Sequence, residues 1–563
     1  MDNPELARVL YEIADILEIQ EVKFKPQAYR NAARTVEALS ADINEVYRQD
    51  RLEELPGIGE AIAKKISELL LTGHLKYLDE LKKQVPIDFE ALLAIPGIGP
   101  KKVVLFYKKL GIKDVPGLEK AAKAHLIQHL KGMGEKTESE ILANIGFVRK
   151  SGERQLLGTV LPVADSIVSE LRHLCRNITF AGSLRRMKET IGDVDILATT
   201  NKPQEVANAF VKLGEKVLAK GPTKCSVRMK NGLQADLRII EDKSFGAALQ
   251  YFTGSKEHNV ALRQLAISKG FKLSEYGLFD RKDNFVVGDT EENVYKRIGL
   301  QYIEPELREN HGEIKAALDR KLPDLVSHDA IKGDLQVHSS WSDGIHTIKE
   351  IAEEAIKLGY EYIGISDHAG SLKVANSLDA KRVLEQRKEI ESIRLPIRIF
   401  QGLEVNIRDD GTLDVPDSTL KHVDFVIAAI HSGFKNSPEK MTNRICKAIE
   451  NPYATFISHP TGRVLNRRPP YAVDLQRVFD KAVEFNKFLE INAHPSRLDL
   501  NDINSRAAIT RGLKLLINTD AHSKDSLSDM FYGVATARRG WCEPKHILNT
   551  LPLRQFEKVI LKR

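Results

Sequence analysis

The sequence predicts a multidomain chain with three architectures in series: an all-α amino-terminal part, a mixed α+β domain and a carboxy-terminal α/β barrel. Three observations predict it. Gly-x-Gly turns recur about every 40 residues, at Gly57-Ile58-Gly59, Gly97-Ile98-Gly99 and, more weakly, Gly132-Met133-Gly134, each opening a helical Ala/Lys/Ile/Leu pattern. A Gly182-Ser183 turn precedes the alternating run Asp193-Val194-Asp195, with Asp236 in a second strand-like run. Beyond residue 333, short apolar runs that end in His, Asp or Glu alternate with helical patterns such as Thr347 to Leu358.

The repeated turns come first in the chain. Glycine there lets the backbone approach a phosphate closely, and the helix that follows presents N–H groups and the positive end of its dipole. The motifs Leu55-Pro56-Gly57-Ile58-Gly59, Ile95-Pro96-Gly97-Ile98-Gly99 and Leu130-Lys131-Gly132-Met133-Gly134 resemble helix-hairpin-helix motifs. Gly57, Gly59, Gly97 and Gly99 are therefore candidate DNA contacts that position the duplex without reading its sequence. The alternative for any one hairpin is a helix-to-helix turn with glycine for geometry alone.

In the mixed domain, alternation along a strand turns Asp193 and Asp195 to one face while Val194 packs behind them. A third carboxylate, Asp236, comes from Leu233-Gln234-Ala235-Asp236-Leu237. Three carboxylates can hold two divalent cations roughly 3.5–4 Å apart, the arrangement of nucleotidyl transfer. The Gly182-Ser183 turn offers backbone N–H groups to phosphate oxygens, and Arg186 adds a charge-assisted contact.

Tyr251-Phe252-Thr253-Gly254-Ser255, followed by Asn259 and Arg263, extends this pattern. The chain here closely resembles the X family of DNA polymerases, the group of polymerase beta. The resemblance implies a nucleotidyltransferase palm with Asp193, Asp195 and Asp236 as catalytic metal ligands for two Mg2+ or Mn2+ ions, Asp236 facing the primer 3′-hydroxyl. It implies nucleotide binding by Gly182, Ser183, Arg186, Gly192, Tyr251, Phe252, Gly254 and Asn259, with the Tyr-Phe-Thr-Gly segment bordering the sugar. Arg263 would contact the templating strand. Lys65 aligns with the lysine that forms a Schiff base with a 5′-deoxyribose phosphate, and Lys25, Tyr29 and Arg30 resemble the 5′-phosphate pocket. One turn before Lys65, Ala61 stands where the eukaryotic pattern has another lysine, so lyase chemistry and simple phosphate binding both stay open.

The carboxy-terminal histidines sit where βα-barrel enzymes keep their chemistry, at the ends of strand-like runs such as Tyr362 to Ile365, Phe425 to Ile430 and Leu515 to Thr519. His338, Asp343, His368, Glu404, His431, His459, Asp520 and His522 follow, in order and spacing, a pattern that resembles the PHP domain. That resemblance implies a distorted seven-stranded (β/α)7 barrel binding two or three ions, with Mn2+, Zn2+ or Fe2+ suited to imidazoles and carboxylates. A water activated by such ions attacks phosphodiesters. The family's opening His-x-His reads Gln336-Val337-His338 here, so one metal is expected to be weakly held. His494 is expected to support rather than ligate, and Asp367 is not expected to ligate.

Composition is compatible with this reading. The net charge is +6 and the pI about 8.8, mildly basic, so a DNA footprint must come from local clusters such as Lys64-Lys65, Lys101-Lys102, Lys108-Lys109, Arg185-Arg186 and Arg467-Arg468. Cys175, Cys225, Cys446 and Cys542 lack paired spacing, so neither a disulfide framework nor a Cys-type zinc site is indicated, and a reducing cytoplasm is the expected setting. The start, Met1 to Leu17, is amphipathic and charged rather than a signal peptide, and no apolar run has membrane-spanning length.

The expected domains are residues 1–86 (helical, lyase-like), 87–152 (helix-hairpin-helix fingers), 153–240 (palm), 241–315 (nucleotide-selecting), 316–332 (linker) and 333–563 (PHP). The expected function is DNA-directed synthesis that fills short gaps in base excision repair, coupled to a 3′–5′ exonuclease that also acts at abasic sites. Expected partners are gapped, nicked or primer-template DNA and dNTPs, for a monomer. The alternatives are a small-molecule phosphoesterase or purely structural PHP half, and a non-catalytic DNA-binding scaffold.

Overall fold

The computed structural model describes residues 3–561 except 21, 23, 38–42, 49–50, 56, 86, 94, 96, 131, 153 and 372–374. The chain divides into two compact units: one of residues 1–152 with 466–468, the other of 153–465 and 469–563. No described helix is long and apolar enough to cross a membrane.

The first unit is helical. Helix Asn3–Ile19 buries Leu6, Leu10, Ile13 and Leu17, an i, i+3/i+4 stripe, in one core with Ala32, Ala33 and Val36 of helix Lys25–Glu37. The three hairpins share one geometry. Gly57, Gly97 and Gly132 have φ of +80°, +83° and +82°, the left-handed region that glycine enters without steric penalty. Each turn is closed by a backbone bond, Ile58 N to Leu55 O, Ile98 N to Ile95 O and Met133 N to Leu130 O, at 3.0–3.1 Å. Ile58 and Ile98 are buried and anchor their turns. Gly59 and Gly99 then serve as N-caps of helices Glu60–Thr72 and Pro100–Leu110. Pro56, Pro96 and Lys131 of these motifs lie outside the described residues.

In the second unit, five strands form a sheet in the order Asn177–Phe180, Asp193–Thr199, Gln234–Ile239, Lys224–Arg228, Lys216–Lys220. Only the pair Asp193–Thr199 and Gln234–Ile239 is parallel. Val194, Ile196, Ala198, Ala235 and Leu237 share a core with helices Leu157–Leu171 and Pro203–Leu213. Strand alternation thereby leaves Asp193, Asp195 and Asp236 on the other face. Helices Phe245–Thr253 and Lys256–Ser268 and an antiparallel three-stranded sheet (Lys272–Ser274, Gly277–Phe279, Phe285–Val287) follow.

A buried charge cluster ties this segment to the palm. Glu291 accepts from Arg185 Nη1 and Nη2 at 2.9 and 2.6 Å, from Arg308 Nη1 at 2.5 Å and from Tyr302 Oη at 3.1 Å. Burial opposes its charge, but Arg308 and Arg185 outweigh that and hold the carboxyl at about 2. Arg308 is fully buried, with its guanidinium over the rings of Tyr295 and Tyr302.

The strands beyond residue 332 pair in parallel: Gly333–Val337, Tyr362–Ile365, Arg398–Asn406, Phe425–Ala429, Phe456–Ile457, Phe488–Asn492 and Leu515–Asn518, with the short His368–Ala369 also paired to Arg398–Asn406. A bridge between Val337 and Ala521, and bonds from His338 N to Ala521 O (2.8 Å) and Leu335 N to Asn518 Oδ1 (3.1 Å), join the last strand to the first. The result is a nearly closed seven-stranded barrel. Leu335, Phe400, Phe425, Phe456, Phe488 and Leu516 gather in one cluster with Phe556 of the carboxy-terminal helix Leu553–Ile560. Gly402 belongs there for space, because a Cβ on it would lie 2.2 Å from the Phe425 ring.

Removing one member of the Glu291 cluster leaves the buried Arg308 uncompensated. Glu291→Gln should destabilise the second unit by about 3–5 kcal/mol in calorimetric unfolding, and Glu291→Gln with Arg308→Met should recover most of that loss. An unchanged melting profile for the single variant would show that the cluster carries no stability.

Candidate functional sites

The first site is built on the two parallel palm strands. Their register sets Asp195 opposite Asp236 and Asp193 opposite Gln234, so three carboxylates meet at one end of the sheet. Asp236 is oriented by Ser226 Oγ, which donates to Oδ1, and by Gln234 Nε2 at 3.2–3.3 Å from its two oxygens. Burial, with the charges of Asp193 and Asp236 added, pushes Asp195 up to about 6, against the pull of Arg238 and Arg186. A carboxylate so crowded by like charge is a donor set that fits divalent cations.

Gly182, at φ +63°, allows its turn to lie against this triad: a Cβ there would sit 2.8 Å from Asp195 Oδ2. Ser183 and Arg186 line a cavity of about 550 Å³ together with Arg154 and Lys188. Gly192 runs beside that cavity's rim, its Cβ position 3.2 Å from Arg154 Nη1. Arg186 donates from Nη1 to Thr253 O and from Nε to Glu309 Oε1 at 3.0 Å. Gly254, at φ +68°, follows directly and would meet Arg186 Nη1 at 3.1 Å if it carried a Cβ. Tyr251 and Phe252 pack edge to face at 5.1 Å, and Arg238 stands over the Phe252 ring at 4.5 Å. Asn259 is almost buried; its amide accepts from Gln250 Nε2 and donates to Tyr251 O, both at 2.7 Å. Arg263 is exposed on the same helix, one turn on, with Nε 3.3 Å from Asn259 O.

In the helical unit Lys65 Nζ donates to Ala61 O at 3.1 Å and lies 4.9 Å from the centre of the Tyr77 ring. Tyr29 is buried and stacks on the same ring at 6.4 Å, whereas Lys25 is exposed. The Arg30 guanidinium is held by Asp15 at 2.7 Å and by Glu18. At the hairpins, nothing lies within 4 Å of a Cβ placed on Gly59 or Gly99, and their φ of −90° and −105° suit any residue. Internal packing therefore gives no reason for glycine there. Lys64 pairs with Glu60 at 2.6 Å, and Lys102 Nζ donates to Gly97 O at 2.7 Å.

The second site sits at the carboxyl ends of the barrel strands. Its donor atoms fall into three overlapping groups, each within 4.8 Å: His338, Asp343, His368 and His522; His368, Glu404 and His431; and His338, Glu404 and Asp520. His459 joins through Nε2, 3.2 Å from Glu404 Oε1. All eight expected residues are thus brought together. His338 is fully buried, yet neither ring nitrogen makes a well-formed hydrogen bond. Burial disfavours its charge, but Asp520, Glu404 and Asp343 hold it up at about 10. Burial takes His431 down to about 4, so it presents a neutral, ligating imidazole. Orphaned imidazole nitrogens facing clustered carboxylates fit a polynuclear metal centre. His459 and Asp520 hold φ of +29° and +56°, conformations that L-residues keep only where the surroundings enforce them.

Around these donors, Asp367 is saturated by Ser339 N and Oγ, Ser342 Oγ and Gln386 Nε2. His494 Nδ1 accepts from Ser496 Oγ at 2.9 Å. Gln336 is buried, its Nε2 3.3 Å from Asp520 Oδ1 and its Oε1 without a partner. Sequence reasoning gave no role to Arg154, Arg185, Glu291, Glu309 or Arg539, which organise the first site; the doubled Arg185-Arg186 and the family-like run Tyr302 to Arg308 were the signs of this cluster.

Known proteins share these segments in the same order. The helix-hairpin-helix domain model matches residues 1–75, the SAM-like helix-hairpin-helix tandem residues 89–145, the DNA polymerase beta thumb residues 248–309 and the PHP domain residues 334–494. The chain is 38% identical to the DNA polymerase/3′-5′ exonuclease PolX of Bacillus subtilis (strain 168), over 100% of both chains. It is 27% identical to DNA polymerase lambda of Rattus norvegicus over 54% of this chain and 56% of that one. To a probable phosphatase of Thermoanaerobacter sp. (strain X514) it is 35% identical over 31% of this chain and 72% of that protein. Matched from end to end by a relative that unites both enzymes in its name, the chain belongs to the X family of DNA polymerases, in the branch with a carboxy-terminal PHP domain.

Proposed function

We propose that this chain is a DNA-directed DNA polymerase that fills short gaps during base excision repair and trims 3′ ends with its PHP barrel as a 3′–5′ exonuclease. The observation that carries it is the coexistence, in one chain, of three palm carboxylates brought to one end of a sheet and eight clustered barrel residues of ligand type. X-family polymerases and PHP enzymes are metal-dependent. Bound divalent cations activate the attacking hydroxyl or water and neutralise phosphate charge. Asp193, Asp195 and Asp236 would hold two Mg2+ or Mn2+ ions; the eight barrel residues would hold two or three Mn2+, Zn2+ or Fe2+ ions.

The chain's own groups do the rest. Asp236 keeps Oδ2 less encumbered than Oδ1 and is placed to accept the primer hydroxyl's proton. Ser183, Arg186 and the Gly182 turn cradle the triphosphate, Tyr251 to Gly254 border the sugar, and Asn259, locked by Gln250, orients the base edge. The Gly59 and Gly99 openings accept DNA phosphates. We assign dNTPs and gapped DNA as substrates, a monomer as the working form and the cytoplasm as its place. The relative named as a probable phosphatase favours monoester hydrolysis as a second reading of the barrel.

On a one-nucleotide gapped duplex with Mn2+, Asp193→Ala with Asp195→Ala should cut synthesis about a thousandfold and spare degradation. His338→Ala with Glu404→Ala should do the reverse. Degradation that survives loss of the barrel ligands sinks the nuclease assignment, and phosphate release from monoesters alone moves the barrel to the phosphatase reading. Gln336→His should raise the barrel's metal content by about one ion per chain, by mass spectrometry of the metals after dialysis, since imidazole replaces an amide that ligates poorly; an unchanged content means Gln336 costs no site. For Lys65, borohydride should trap a DNA adduct on a 5′-deoxyribose phosphate end in wild type and not in Lys65→Ala; if wild type gives none, Lys65 is only a phosphate contact.

A further inference from the structure

The barrel helix Met530–Arg539 ends against the polymerase site. Arg539 is almost wholly buried, and its guanidinium makes three contacts with three different segments. Nη1 donates to the Arg186 carbonyl at 2.7 Å and to Glu309 Oε1 at 3.1 Å, and Nη2 donates to Asp502 of the barrel. Glu309 Oε1 is the same atom that accepts from Arg186 Nε. The backbone and the side chain of Arg186 are therefore both fixed by one arginine from the other enzyme, directly in the first case and through a shared carboxylate in the second. The cavity that holds Ser183 and Arg186 is correspondingly closed by barrel residues, Asn501, Asp502 and Arg539 among them.

We propose that Arg539 is a positioning residue for the polymerase: the PHP barrel completes the triphosphate site by holding Arg186 through Arg539, Asp502 and Glu309. This rests on the reading that Arg186 binds the triphosphate. A planar guanidinium with donors fanned in fixed directions can serve all three acceptors at once, which a lysine ammonium on a flexible stem cannot. Asp502 supplies the countercharge that lets Arg539 stay charged while buried. Loss of Arg539 would leave the Arg186 backbone untethered and give Glu309 one cation fewer, so the fork of Arg186 would sample other directions.

The test uses full-length chain on a one-nucleotide gap, comparing Arg186→Ala, Arg539→Gln, Arg539→Lys, Asp502→Asn and the double variant Arg186→Ala with Arg539→Gln. Arg539→Gln should raise the KM for dNTP roughly tenfold with kcat and the KM for DNA little changed, the size of a typical coupling between linked sites. Arg539→Lys and Asp502→Asn should fall between it and wild type, and the double variant should be no worse than Arg186→Ala alone, because both changes remove the same contact. Exonuclease activity and the unfolding midpoint of each preparation report whether the barrel is intact. An unchanged KM for dNTP in Arg539→Gln and Asp502→Asn, with Arg186→Ala raised, overturns the inference alone. A double variant whose losses simply add overturns it too. If Arg186→Ala itself leaves that KM unchanged, the triphosphate reading falls and takes the inference with it.

Discussion

Crowded carboxylates are the constraint around which both sites are arranged. In the palm, three acids converge because two parallel strands bring their ends into register, and burial, with the charges of Asp193 and Asp236 added, raises Asp195 to about 6. In the barrel, Asp343, Glu404 and Asp520 converge among five imidazoles. Such groupings are costly in a folded protein unless positive charge arrives to meet them. The backbone holds the acids in place through strands and closed turns, so the charge deficit is available to bind cations rather than being relaxed by side-chain motion. The positive φ of His459 and Asp520 fits that picture, since strain persists only where packing over-determines it.

Adjacent arginines divide the labour of connecting the parts. Arg185 turns to Glu291 and, with Arg308, welds the nucleotide-selecting segment to the palm. Arg186 turns to Thr253, Glu309 and the cavity it shares with Ser183. Because Thr253 Oγ1 also accepts from Arg185 at 2.8 Å, the end of helix Phe245–Thr253 is gripped by both. The end of the Tyr251 to Gly254 segment is thereby tied to the Gly182 turn, so a shift in one is transmitted to the other.

Much of this was legible in the sequence, for a physical reason: ligand geometry imposes local patterns. Two acids on one strand face must be spaced by two, glycine must occupy a turn at φ near +80°, and barrel ligands must follow apolar strands. The eight barrel residues and the palm triad left such marks and the structure brings each set together, while Gly57, Gly97 and Gly132 each turn at φ near +80°. Contacts between remote segments leave none. Arg539 and Arg186 are separated by more than half the chain, and neither Glu291 nor Glu309 belongs to any period or motif. Arg30, matched to a phosphate-pocket pattern, also pairs with Asp15 and Glu18 of the preceding helix, contacts that no pattern in the sequence announces.

The helix Met530–Arg539 explains how two enzymes can share one unit. Met530 and Val534 face the barrel core, while Phe531 and Tyr532 pack on the palm core. Gly533 lets the helix lie directly on the barrel strands, for a Cβ there would meet Ile517 at 2.4 Å and Ala493 at 2.6 Å. Ile517 stands three residues before Asp520, so the helix that touches the polymerase also backs a strand that ends in barrel ligands. Domains joined by small polar interfaces move independently; an apolar seam reinforced by Arg538 with Glu306 at 2.7 Å and Arg463 with Glu189 at 2.7 Å does not favour that. The barrel thereby contributes Asn501, Asp502 and Arg539 to the wall of the cavity that Ser183 and Arg186 also line.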